Sequence, residues 1–202
     1  MPEKKTSTVS NGRVVDPVND YLKGFRLFRP EDSEVYCIAY GSNLSEERMK
    51  KRCPKAEAFG TSVIYGYRLL FKQSMTGAYA TIEQDANCCV PVLIYRMTVE
   101  DEMKLDRFEG YPKYYYKREF LLPVWGLNGR KKKLRRNCIA YIMHEYRLLG
   151  EPDEDYFSLL DGGYDRWGFE KDPLVKALED SIGREEAAQW FSEYYGEEEE
   201  HE

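Results

Sequence analysis

A chain of 202 residues that is 42% hydrophobic and 14% aromatic, with 17 Tyr, holds enough apolar material for a buried core and too much for a disordered chain. Its net charge of −6 argues against a general affinity for nucleic acid or anionic membrane. It has no apolar run long enough to span a bilayer, and "MPEKKTSTVSNG" lacks the hydrophobic stretch of a secretory leader, so the expectation is one cytoplasmic domain with short additions.

Residues 1–33 are polar, broken by Pro17 and Pro30, and read as an N-terminal extension before a domain over 34–183. "EVYCIAYG" reads as a buried strand. A short helix follows from Ser45, a fitting N-cap with acidic residues in the first turn, to Cys53, where Pro54 ends it. "TSVIYGYRLLFKQS", "GAYATIEQD" and "CCVPVLIYRMT" read as three strands, rich in Val, Ile, Tyr and Phe. "VEDEMKLDRFEGY" has helical spacing, with Met103, Leu105 and Phe108 near its apolar face and Gly110 as its stop, which puts Glu109 at a helix end. Two further strands, "YYYKREFLLPVW" and "NCIAYIMHEYR", flank the basic hairpin segment "GLNGRKKKLRR". Helices over "DEDYFSLLDGGYDRWGF" and "DPLVKALEDSIG" precede a C-terminal helix or acidic tail at 184–202, in which "EYYGEEEEHE" reads as frayed. This order predicts a mixed α+β domain, a curved or closed sheet with helices outside.

The five cysteines are odd in number, have no C-x-x-C pair, and lie partly in apolar stretches, as free thiols of a reducing compartment would. A Cys-His mechanism finds only His144 and His201 as bases, and no spacing suits a metal. The basic run from Arg130 to Arg136 reads as a solvated hairpin on an acidic protein rather than an RNA site.

Two places carry chemistry. At Tyr40-Gly41-Ser42-Asn43 a strand stops and a helix starts, so main-chain amides can converge on an anionic group, although an ordinary capped turn reads the same. In "LDRFEGYPKYYY" Glu109 sits between Phe108 and a Gly-Tyr-Pro turn, where desolvation would fit it to proton transfer near neutral pH and full solvation would leave it an ordinary surface acid. Tyr114, Tyr115 and Tyr116 alternate faces of a strand, so neighbours point opposite ways.

Taken in order, "AYGSNLSEERM", "GAYATIEQD", "VPVLIYRM", "LDRFEGYPKYYYKREF", "AYIM" and "DYFSLLDGGYDRWGF" resemble the gamma-glutamylcyclotransferase-like family, over about residues 35–180. The resemblance implies a small mixed β-barrel with helices packed outside and a single pocket for a small-molecule gamma-glutamyl substrate. It implies that Tyr40, Gly41, Ser42 and Asn43 hold the gamma-glutamyl group and that Glu109 is the general acid and base. It also implies that Tyr141 and Tyr116, with Tyr115 as the register alternative, line the pocket. The expected reaction closes a gamma-glutamyl amide to 5-oxoproline and frees an amine or amino acid, with no cofactor and no metal. The alternative is a non-catalytic member of the same fold that binds a metabolite or a protein. Neither the leaving amine nor the oligomeric state is legible in the sequence.

Overall fold

The computed structural model describes residues 33–127 and 134–196; most of the expected extension, the tip of the basic hairpin and the last six residues lie outside them. Five strands, β1 (Val35–Ala39), β2 (Glu57–Gln73), β3 (Ala78–Met97), β4 (Tyr115–Gly126) and β5 (Leu134–Met143), close into a barrel in the order β1-β3-β2-β4-β5. Neighbours are antiparallel except at the closure, where β1 and β5 run parallel with Cys37 opposite Ile139. The helices are α1 (Glu46–Arg52), α2 (Val99–Phe108), α3 (Glu154–Trp167), α4 (Asp172–Ile182) and α5 (Arg184–Gly196). The chain therefore has the α+β barrel expected of it.

Several ends form where the sequence places them. Ser45 caps α1 by accepting from the Arg48 amide at 3.3 Å, and Thr98 and Asp153 cap α2 and α3 likewise. Gly110, at φ +63°, turns the chain out of α2 in a conformation that side chains resist.

Three expectations are corrected. "GAYATIEQD" and "CCVPVLIYRMT" are one strand: Asp85–Cys88, across the gap left between the two expected strands, bulges out of β3 where its register with β2 jumps from Tyr65–Cys89 to Tyr67–Gln84. Met103 and Phe108 are exposed, and α2 buries Leu105 together with Asp101 and Glu102. Those acids are inside because they have partners: Asp101 accepts from the Lys55 amide, and Glu102 pairs with Lys117 at 2.6 Å. Tyr194 and Tyr195, read as part of a frayed tail, lie in α5.

The core is aliphatic and aromatic, with Ile64, Leu70, Phe71, Ile82, Val92 and Ile94 buried on one face of the sheet or the other. Where β2 runs past β4 it has an open edge, which the chain covers. Ser181 of α4 accepts from the Phe71 amide at 2.8 Å, while the Gly150 amide donates to the Phe71 carbonyl at 3.1 Å. Outside the barrel, Phe157 of α3 meets Trp190 of α5 edge-on at 4.7 Å, which ties the last helix to the core.

Candidate active site

Just after β1 the chain makes one 3-10 turn, Ser42–Leu44, closed by the Leu44 amide donating to the Gly41 carbonyl at 2.8 Å. The first amides of such a turn have no acceptor within it. Gly41, Ser42 and Asn43 line the inner end of a cleft. A β-carbon on Gly41 would lie 3.2 Å from the Tyr156 hydroxyl and 3.3 Å from Ala80, so the turn is packed as closely as glycine allows. Helix α3 holds it from behind: Trp167 Nε1 donates to the Leu44 carbonyl at 2.9 Å, and Gly163 lets Leu44 sit where a β-carbon would approach it to 2.7 Å.

Opposite the turn, at the C-terminal end of α2, is Glu109, half-buried, with Oε1 accepting from Asn43 Nδ2 at 3.1 Å. Burial pushes its carboxyl above the ordinary value, against the charge of Arg52 and the Asn43 hydrogen bond, which pull it down. Ser42 and Glu109 line a cleft of about 540 Å³, whose other walls include Tyr114, Tyr115, Tyr156, Met75 and Phe108; Gly41 and Asn43 line a recess of about 40 Å³ that shares Ser42, Glu109, Tyr115 and Tyr156 with it.

The tyrosines separate sharply. Tyr40 is buried and donates to the Tyr141 carbonyl, joining the end of β1 to β5. Tyr141 borders the inner end of the cleft and donates to Asp106 Oδ1 at 2.6 Å. Tyr116 does not line the cleft: its hydroxyl donates to Glu145 at 2.5 Å and its ring lies 5.5 Å from His144. Its neighbour Tyr115, on the other face of β4, takes that place, and its hydroxyl has no hydrogen-bond partner among the described residues. The alternation of strand faces makes the two exclusive, so the register alternative is the one in the cleft. His144 contacts the Pro112 carbonyl at 3.0 Å and stacks on Tyr146, outside the cleft.

Four contributors escape a reading of the sequence. Arg52, at the end of α1, donates to Ser42 Oγ at 3.1 Å and to Asn43 Oδ1, and lies 3.6 Å over the Phe108 ring. It thereby orients the Asn43 amide so that its NH2 faces Glu109. Tyr156 reaches in from α3, its hydroxyl accepting from the Ala80 amide at 3.1 Å. Arg48 and Arg107 stand in the cleft wall. The signal for Arg52 was present in the spacing, since a residue at the last turn of a seven-residue helix can fold back over its start, but nothing in the sequence chooses it over Lys50 or Lys51.

A family model described as gamma-glutamyl cyclotransferase, AIG2-like, matches residues 37–166. A solved structure called gamma-glutamyl cyclotransferase is 25% identical with a TM-score of 0.61, over 80% of this chain and 99% of its own. An uncharacterized protein from Homo sapiens is also 25% identical, with a TM-score of 0.60 over 68% of this chain and 82% of its own. A yeast gamma glutamyl cyclotransferase specific to glutathione shares the fold, at 12% identity and a TM-score of 0.54, over 75% of this chain and 96% of its own. No curated protein matches the chain in sequence. With the matched segment running from β1 to the end of α3 and so containing both the turn and Glu109, the chain belongs to the AIG2-like gamma-glutamyl cyclotransferase family.

Proposed function

We propose that the protein is a gamma-glutamyl cyclotransferase in which Glu109 is the general acid and base. The observation that carries this is the Glu109 carboxyl, raised by burial and hydrogen-bonded to Asn43 of the Gly41–Asn43 turn, in the wall of a cleft of substrate size. The substrate brings its own nucleophile: the α-amine attacks the γ-carbonyl carbon, a C–N bond closes the five-membered lactam, and the amide C–N bond breaks. The attack is intramolecular, so the protein contributes chiefly by holding one conformer. Glu109 takes a proton from the α-ammonium and delivers it to the departing nitrogen, and a pKa above the ordinary value suits both directions of transfer. Amides of Gly41 to Asn43 hold the glutamyl carboxylate, and the unpartnered Tyr115 hydroxyl and Tyr141 border the same space. The products are 5-oxoproline and an amine or amino acid, and the reaction as written needs no cofactor.

All five cysteines are free thiols, which supports a cytoplasmic, reducing location. Among the described residues no helix is long and apolar enough to cross a membrane. The test is 5-oxoproline release from a panel of gamma-glutamyl amides by wild type and Glu109→Gln. Wild type should release it, and the variant should be slower by roughly 10²- to 10⁴-fold. Equal rates would remove Glu109 from the mechanism.

A further inference from the structure

The wall of the cleft is more basic than proton transfer requires. Arg48, Arg52 and Arg107 line it, and Glu109 is the sole acid among its lining residues. Arg52 is committed, holding Ser42 and Asn43, stacking on Phe108 and offsetting the Glu109 charge. Arg48 and Arg107 are exposed side chains with no acidic partner among the described residues. The nearby acids are taken: Glu46 pairs with Arg166, Glu47 with Lys51, and Asp106 with Lys117.

Arg48 and Arg52 are moreover one turn apart on α1, and like charges at that spacing disfavour a helix. Both sit on the side of the helix that meets the cleft. A second pair of cations, Lys113 and Arg147, stands over the Tyr114 ring of the same cleft, each 5.2 Å from its centre. Positive charge on these walls disfavours a cationic leaving group.

We propose that Arg48 and Arg107 select a leaving group that carries two carboxylates, that is, an acidic amino acid such as the terminal unit of a γ-linked glutamyl chain. The charge balance is specific. The glutamyl head brings one ammonium and one carboxylate and is neutral, Arg52 balances Glu109, and two guanidinium groups remain for the two carboxylates of the departing residue. This deepens the cyclotransferase reading and rests on it.

The test compares gamma-glutamyl-glutamate, gamma-glutamyl-glutamine and gamma-glutamyl-putrescine, which share the head and differ in the charge of the tail. Wild-type kcat/KM should fall in that order, by roughly 2- to 5-fold for each carboxylate lost, as for exposed ion pairs. The order should flatten in 0.5 M salt, with a Debye length of about 4 Å. The double variant Arg48→Gln/Arg107→Gln should bring the three ratios toward one. Calorimetric binding of the same three compounds to Glu109→Gln gives a readout that needs no turnover. Equal or reversed preference in wild type, with 5-oxoproline still released, would overturn charge selection and leave the reaction standing. No turnover together with the expected binding order would overturn the reaction and leave charge selection standing. Ratios unchanged in the double variant would take the assignment away from these two arginines.

Discussion

Asn43 and Glu109 lie 66 residues apart in the chain, and their side chains meet through a hydrogen bond of 3.1 Å. That bond spans the gap between the turn after β1 and the end of α2. Because Arg52 donates to the other end of the same Asn43 amide, the orientation of the amide is fixed from both sides.

The Glu109 carboxyl is raised by burial, so between the ordinary glutamate pKa and its own folded value the native state holds a proton that the unfolded chain has released. In that window stability falls as pH rises, and the cost persists at neutral pH. Glu109→Gln removes it. The melting temperature of the variant minus that of wild type should therefore increase from acid to neutral pH. A flat difference would mean that Glu109 is as well solvated folded as unfolded.

Adjacent glycines in α3 should respond in opposite ways to alanine. At Gly162 a β-carbon meets nothing within 4 Å, so Gly162→Ala should gain up to about 1 kcal/mol from helix preference. At Gly163 it would sit 2.7 Å from the Leu44 β-carbon, and overpacking of about 1–3 kcal/mol outweighs that gain. Gly163→Ala should also raise KM, because Leu44 belongs to the turn. Urea midpoints and steady-state kinetics on the pair decide the matter, and equal stabilisation of both would show that the turn is not held by this contact.

Tyr115→Phe should lower kcat/KM about tenfold, since it deletes a hydroxyl that faces the cleft without a partner in the protein. Tyr116→Phe should stay within about twofold, since it loses one bond to Glu145 outside the cleft. A larger effect at Tyr116 would return the substrate contact to the position first expected.

Lys117 is 8% exposed and pairs with both Glu102 and Asp106 beneath the Tyr111 and Tyr141 rings. Lys117→Met leaves two carboxylates in a packed setting without their shared cation and should cost about 3–5 kcal/mol. Chemical denaturation reads this directly, and a loss below 1 kcal/mol would place the cluster in open solvent.

The local signals of the sequence were dependable where the physics is local. Ser45 as a cap, Gly110 as a stop and the alternation at Tyr115 and Tyr116 depend on a few neighbouring residues, and each has its structural counterpart. What the sequence hid arises over distance. Asp85 and Asn87 interrupt the apolar pattern and divide the strand in two on the page, yet β2 runs alongside and carries it through as a bulge. The buried face of α2 includes acids because the Lys55 amide and the Lys117 ammonium, both outside the helix, pair with Asp101 and Glu102. Tyr156 enters the cleft from a helix 76 residues beyond the Ala80 amide it accepts from, and no motif near either residue announces the pairing.

The parallel closure of the barrel also sets an order of assembly. Of the described strands β1 is made first, but Cys37 cannot find Ile139 until β5 has been made, and the props that α3 supplies, Tyr156 and Trp167, come later still. Closing so long a loop is entropically costly and slow. A nascent chain ending before α3 would therefore hold Asn43 and Glu109 and still lack the backing that shapes the turn. The cleft takes its shape only once α3 has been made.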